Sequence, residues 1–265
     1  WVISSGISER YQKRFYSSVQ LPENTSFQSR TDEMCGFNVA GPKSRQILQR
    51  LSNQDLSNKN WSFMRSGNLS IAGVSCLALR ISFTGDLGWE IYCETSKQQI
   101  VYEALVQEAI SERGGPVGSR ALMSLRIEKG YGSWSREYSP EVWPHECGLE
   151  KLCKLDKEFL NKGELEKKLK TDPREILVLI HLNEDDCISS NADATGGEPV
   201  FKNGKGLGRI TSGAYGYTVG MSLALGYLKD AIPGDNVEVM VLGQPHRGKV
   251  LEAPPFDPDG IILRG

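Results

Sequence analysis

Strict alternation over Cys76–Phe83 constrains this chain more than any other segment. Leu77, Leu79, Ile81 and Phe83 alternate with Ala78, Arg80 and Ser82, the period-two pattern of a half-buried strand. Gly85-Asp86-Leu87-Gly88 supplies a turn, and Trp89–Cys93 reads as the returning strand, with Trp89 and Ile91 on one side and Glu90 on the other.

Helical patterns flank it. Tyr11, Phe15, Tyr16 and Val19 fall on one face of a helix over Glu9–Val19, and a short strand is expected at Gly36–Ala40. Gly41-Pro42 then opens a helix that buries Ile47, Leu48 and Leu51. Ile100, Val101, Ala104, Leu105, Ala109 and Ile110 trace the stripe of a further helix, which Gly114-Gly115-Pro116 ends. One more is expected from Ser119 to Glu128, followed by an irregular aromatic stretch holding Tyr131, Trp134, Tyr138 and Trp143. Trp1-Val2-Ile3 reads as a strand already in progress.

Beyond Arg174 the texture changes to short strand candidates separated by Gly, Pro, Asn and Asp: Ile176–Leu182, Glu198–Phe201, Gly208–Thr211, Leu223–Leu228, Asn236–Val241 and Arg247–Leu251. That spacing favours a small antiparallel barrel or sandwich. The fold class is α+β: an α+β body over residues 1–172, then a β domain over residues 173–265. The acidic insert Asn183–Asp193 reads as a solvated loop.

Composition removes several function classes. The 31 basic against 33 acidic residues leave a net charge of -2, with nothing to favour a polyanion such as nucleic acid. No apolar run reaches the length of a membrane span, and the first residues lack a secretory signal. The six cysteines form no C-x-x-C pair and read as small buried hydrophobes in a reducing compartment, so no metal site is expected. Gly204-Lys205-Gly206-Leu207-Gly208 precedes a strand with no helix behind it, which makes it a hairpin turn and not a dinucleotide fingerprint.

Six collinear segments carry a resemblance that runs from end to end. They are Val39-Ala40-Gly41-Pro42, Ser82-Phe83-Thr84-Gly85-Asp86-Leu87-Gly88-Trp89-Glu90, the stretch from Ser124-Leu125-Arg126 to Trp134, Gly196-Gly197-Glu198-Pro199, Thr211-Ser212-Gly213-Ala214-Tyr215-Gly216-Tyr217 and Pro255-Phe256-Asp257-Pro258. Together they resemble the aminomethyltransferase (glycine cleavage T-protein) fold, in the version found at the C-terminal end of the dimethylglycine and sarcosine dehydrogenase family.

The resemblance implies a tetrahydrofolate-binding body and a C-terminal β-barrel. It also implies an N-terminal FAD-dependent oxidoreductase domain, absent here, that oxidises a methylated glycine-type amine. The folate module then captures the one-carbon unit as 5,10-methylenetetrahydrofolate. Glu90 matches the pterin anchor, since a carboxylate can accept from the adjacent ring N–H and amino group of a pterin. Phe83 stands where the family usually has Tyr. Tyr131 and Trp134 match the aromatic lining of the folate channel. Leu122 occupies the place of a family Arg, with Arg120 as a loose substitute. The family's catalytic Asp lies before Trp1, so the chain is expected to be truncated and, alone, inactive. A bacterial cytoplasm or a mitochondrial matrix is the implied location. The alternatives are a stand-alone aminomethyltransferase, a folate-dependent demethylase, or a non-catalytic regulatory subunit with the same body.

Overall fold

A computed structural model describes residues 1–5, 8–183 and 192–265. Most of the acidic insert, and Cys187 within it, lies outside the described residues. The chain forms two compact units. One comprises Trp1–Val117 with Asp259–Gly265, the other Gly118–Pro258. Compactness thus groups residues 118–172 with the later strands, whereas texture grouped them with the preceding body.

The first unit is built on a four-stranded antiparallel sheet in the order β1-β4-β3-β2. Its elements are α1 (Glu9–Ser18), β1 (Met34–Ala40), α2 (Ser44–Leu51), β2 (Ser66–Ile71), β3 (Val74–Leu79), β4 (Gly88–Glu94) and α3 (Gln98–Ser111), with a short closing helix at Ile261–Arg264. Leu48 of α2 and Val101 and Leu105 of α3 pack with Trp61, Leu69, Ile71, Trp89 and Ile91 into one core. The α3 stripe is narrower than its apolar composition suggests, because Ile100 and Ile110 face water. Trp1–Ile3 forms no strand, and α1 buries no residue.

The hairpin exists, but its inward face is the opposite of the one alternation indicates. Cys76, Ala78 and Arg80 are buried, while Leu77, Leu79, Ile81 and Phe83 are half-buried. The ladder stops at Leu79, and residues 80–87 form a longer connection than a tight turn. Arg80 explains both departures. Its guanidinium donates to the carbonyls of Gly88 (3.1 Å) and Leu263 (3.0 Å) and lies 4.6 Å above the Trp89 ring. Carbonyl partners and an aromatic face let an arginine occupy a position that a hydropathy pattern assigns to solvent. Burial brings its pKa down to about 10.

The second unit contains α4 (Ser119–Glu128), α5 (Lys162–Leu169) and a closed six-stranded barrel in the order β10-β5-β8-β7-β6-β9. Its strands are β5 (Ile176–Leu182), β6 (Pro199–Lys202), β7 (Lys205–Gly216), β8 (Met221–Leu228), β9 (Asn236–Val241) and β10 (Gln244–Val250). Every pairing is antiparallel. Alternate residues fill the interior, among them Val178, Ile180, Val200, Ile210, Val237, Val239, Val241 and Val250. Asn203 and Gly204 join β6 to β7 with positive φ of 51° and 75°, the left-handed pair that a tight hairpin turn requires. The glycine-rich run is therefore a hairpin, as expected. Outside the barrel, Ile127 of α4 packs with Leu179, Leu223 and Leu225 in a second core.

Candidate ligand-binding face

Sheet pairing divides β4 cleanly. Trp89, Ile91 and Cys93 are at most 1% exposed, whereas Glu90 and Tyr92 lie half-buried on the other face. Glu90 stands opposite Asn38 of β1 and Leu79 of β3, and Tyr92 stands opposite Gly36 and Leu77. The result is a sheet surface on which Leu77 and Leu79 lie beside Glu90 and Tyr92, with a second carboxylate, Glu94, at the end of the same strand face. Tyr92 donates its hydroxyl to Glu90 Oε2 at 2.6 Å. Burial and this carboxylate push the phenol well above its usual range, so it stays a donor. No lysine or arginine among the described residues forms an ion pair with Glu90. Its carboxylate is therefore held in place by a neutral donor.

Gly36 makes room for this arrangement. A Cβ there would come within 2.8 Å of Tyr92 Cε1. A cavity of about 580 Å³ opens at the Tyr92 end of the face, lined by Met34, Asn68, Leu77, Tyr92, Lys97 and Ile100 among others. Tyr92 was not anticipated from sequence. Its position two residues after Glu90 places it on the same strand face, the one signal that could have found it.

Phe83 lies half-buried in the connection between β3 and β4, in the same unit as Glu90. Arg120, Tyr131 and Trp134 belong to the second unit. Arg120 is exposed in the first turn of α4. Tyr131 and Trp134 are half-buried in the irregular segment after α4, where Trp134 forms an isolated bridge with Tyr138.

The segment that carries much of the resemblance, Ser124 to Tyr131, has a packing explanation. Arg126 is fully buried and pairs with fully buried Glu137 at 3.0 Å, while also donating to the Tyr131 carbonyl at 2.8 Å. Glu137 further accepts from the Ser133 amide (2.8 Å) and the hydroxyls of Thr211 (2.7 Å) and Ser212 (2.5 Å). Glu128 accepts the Thr218 amide at 2.8 Å, and Lys129 pairs with Asp257 at 3.0 Å. The Glu137 and Glu128 bonds tie α4 and its aromatic loop to the barrel, and Lys129 ties it to the segment after the barrel, all within one unit. Sequence reasoning named the segment without finding Glu137, which lies outside every quoted motif. Among the described residues, no group of three or more His, Cys, Asp or Glu is arranged to hold a metal ion, and no helix is long and apolar enough to cross a membrane.

The GCVT N-terminal domain model matches residues 1–157, and the glycine cleavage T-protein C-terminal barrel domain model matches residues 177–257. Mitochondrial dimethylglycine dehydrogenase of Mus musculus is 34% identical over 236 residues, covering 87% of this chain and 26% of the dehydrogenase. An aminomethyltransferase of Desulfitobacterium hafniense is 30% identical over 230 residues, covering 85% of this chain and 60% of that protein. The chain thus spans about a quarter of the length of the dehydrogenase that it matches. The crystal structure of the glycine cleavage system aminomethyltransferase T from Bartonella henselae aligns with a TM-score of 0.72 at 21% identity, over 85% of this chain and 60% of that one, a likeness of fold. With both domain models matched in order and the fold reproduced, the chain belongs to the glycine cleavage T-protein (aminomethyltransferase) family.

Proposed function

We propose that the sheet face carrying Glu90 is the pterin-binding surface of a tetrahydrofolate module, working as part of a dimethylglycine or sarcosine dehydrogenase-like enzyme. The observation that carries this reading is the Glu90–Tyr92 pair. A carboxylate without a cationic partner, fixed by a phenol beside Leu77 and Leu79, suits a flat ligand with two adjacent N–H donors. Oε1 has no protein donor among the described residues, and Oε2 keeps a lone pair beyond the one that takes the Tyr92 hydroxyl. Leu77 and Leu79 offer the aromatic ring an apolar surface beside them. Tetrahydrofolate, when bound, supplies the nitrogens that accept a one-carbon unit. The protein's part is to orient the pterin and exclude water.

The relatives support the same reading at the level of the whole enzyme. A partner FAD domain would oxidise the N-methyl amine, and this module would collect the one-carbon unit as 5,10-methylenetetrahydrofolate. Phe83, Tyr131, Trp134 and Arg120 are proposed as further ligand contacts on the strength of the family pattern. Titration calorimetry of tetrahydrofolate into the chain and into Glu90→Gln tests the anchor. Binding that weakens at least tenfold in the variant supports it; equal affinities in the two chains remove Glu90 from the site.

A further inference from the structure

Cys35, Cys93 and Cys76 form a row on the buried face of the first unit's sheet. Cys35 of β1 and Cys93 of β4 are direct cross-strand partners. Leu77 pairs with Tyr92 in the antiparallel ladder of β3 and β4, which puts Cys76 beside Cys93 on its other side. All three are thiols in the structure. Cys93 and Cys76 are 1% and 2% exposed, and Cys35, on an edge strand, is half-buried. No set of three metal-ligating groups among the described residues is arranged to hold an ion, so the row is not a metal site of that kind.

We propose that Cys35 and Cys93 are a redox pair that closes into a reversible cross-strand disulfide on exposure to a peroxide, with Cys35 oxidised first. Directly opposed residues in an antiparallel pair have Cα atoms about 4.5–5.5 Å apart. A disulfide spans about 4.4–6.8 Å between the same atoms, so the backbone already stands within range. The Cβ atoms of such pairs lie about 4.5–5.5 Å apart, whereas a disulfide brings them to about 3.5–4.5 Å. That small approach is easiest at an edge strand, which has a neighbour on one side only. Cys93 and Cys76 face each other across two interior strands, where both are closed to solvent and neither strand can yield as freely. Cys35 is the one of the three that solvent reaches, which makes it the entry point, and burial raises the pKa of the other two thiols.

The chemistry balances with the peroxide as oxidant. The Cys35 thiolate attacks a peroxide oxygen, the O–O bond breaks, and the departing hydroxide takes up the thiol's proton to leave as water. Cys35 is then a sulfenic acid. The Cys93 sulfur attacks the Cys35 sulfur, the S–S bond forms, and the S–O bond breaks. The hydroxide released takes the Cys93 proton and leaves as a second water. Two thiols lose two electrons and two protons, and one hydrogen peroxide becomes two waters. The bond ties together the two strands whose opposite face presents Asn38, Glu90 and Tyr92.

The test is peptide mapping by mass spectrometry after mild hydrogen peroxide and alkylation, with oxidation of exposed Met64 as the control for peroxide exposure. The expected product is a Cys35–Cys93 linked peptide that disappears on treatment with a dithiol. In Cys93→Ala, a sulfenic acid on Cys35 should be trapped by dimedone. Met64 oxidised while Cys35 and Cys93 both remain alkylatable overturns the proposal. So does a Cys76–Cys93 link, or a Cys35→Ser chain that still forms a disulfide through Cys93. Mapping the unaltered chain decides the matter even if a variant fails to fold.

Discussion

Arg126 and Glu137 pair at 3.0 Å with no solvent reaching either side chain. An isolated buried charge is expensive, so each makes the other tolerable, and the hydrogen bonds from Ser133, Thr211 and Ser212 satisfy the rest of the carboxylate. Burial pushes the Glu137 pKa up, but Arg126 together with the hydrogen bonds from Ser212, Ser133 and Thr211 outweighs it and holds the pKa below its ordinary value. Removing one partner leaves the other uncompensated. Glu137→Ala should destabilise the protein by roughly 3–5 kcal/mol, seen as a lower urea midpoint. Arg126→Met with Glu137→Leu should recover much of that loss, and a double variant as unstable as the single one would contradict this account.

The Glu90–Tyr92 hydrogen bond gives a separable expectation. Glu90→Gln places an amide donor against a ligand donor and should cost about 1.5–3 kcal/mol of binding, roughly 10- to 150-fold in Kd. Tyr92→Phe keeps the ring but frees the Glu90 carboxylate to move. Ordering one such side chain costs roughly 0.5–1.5 kcal/mol, so tetrahydrofolate affinity should fall about 2- to 12-fold. Calorimetry on both variants orders the effects, and a larger loss for Tyr92→Phe than for Glu90→Gln would be the wrong order.

Gly36→Ala puts a methyl group 2.8 Å from the Tyr92 ring edge, so the ring must move. Overpacking of this kind costs about 1–3 kcal/mol. The variant should melt at lower temperature and bind folate more weakly. Adding Tyr92→Leu should restore the melting temperature without restoring affinity, because the carboxylate's donor is still missing.

Acid sensitivity should have a local component at Glu146. Arg174 grips its carboxylate through Nε (2.7 Å) and one terminal nitrogen (2.8 Å), and the Trp143 amide adds a bond at 2.8 Å. These contacts, the Arg174 bonds foremost, lower its pKa to about 2. An unfolded glutamate titrates near about 4.3. The folded value is the lower one, so the stabilisation is complete above about pH 4.3 and disappears as pH falls towards about 2. Urea midpoints of the parent and Glu146→Gln should differ most near neutrality and converge through that window. A constant difference across it would detach Glu146 from the acid response.

The barrel strands were legible because Val237, Val239 and Val241, or Val178, Ile180 and Leu182, place their bulk at every second position against a dry interior. Helix α4 was legible from end to end, since Ser119 and Glu128 bound a clear apolar pattern. Helix α5 was not, because Lys-Gly-Glu-Leu-Glu-Lys-Lys-Leu buries nothing and has no core-facing stripe to read. Strand β2 is built from Ser, Gly and Asn around Leu69 and Ile71, too few apolar positions to show a period. The inward face of β3 was misread because alternation ranks residues by polarity, and Arg80 finds its partners in the Gly88 and Leu263 carbonyls, far apart in the chain. For Glu90, the face was legible from the parity of Trp89 and Ile91; its Tyr92 partner was not, since a tyrosine on a strand reads first as packing.

Closure of the barrel consumes the hydrogen-bonding capacity of its strand edges. The four-stranded sheet differs: the outer edge of β2 has its Ser70 amide and Asn68 carbonyl taken by the Gln54 side chain, but β1 has one side unpaired by any other strand among the described residues. Backbone amides and carbonyls there can accept an added strand, whereas further chain can join the barrel only through side chains and loops. Strand-forming peptides should therefore dock by main-chain pairing at the sheet, and a tag or domain grafted at the Asn203-Gly204 turn should leave that recruitment untouched.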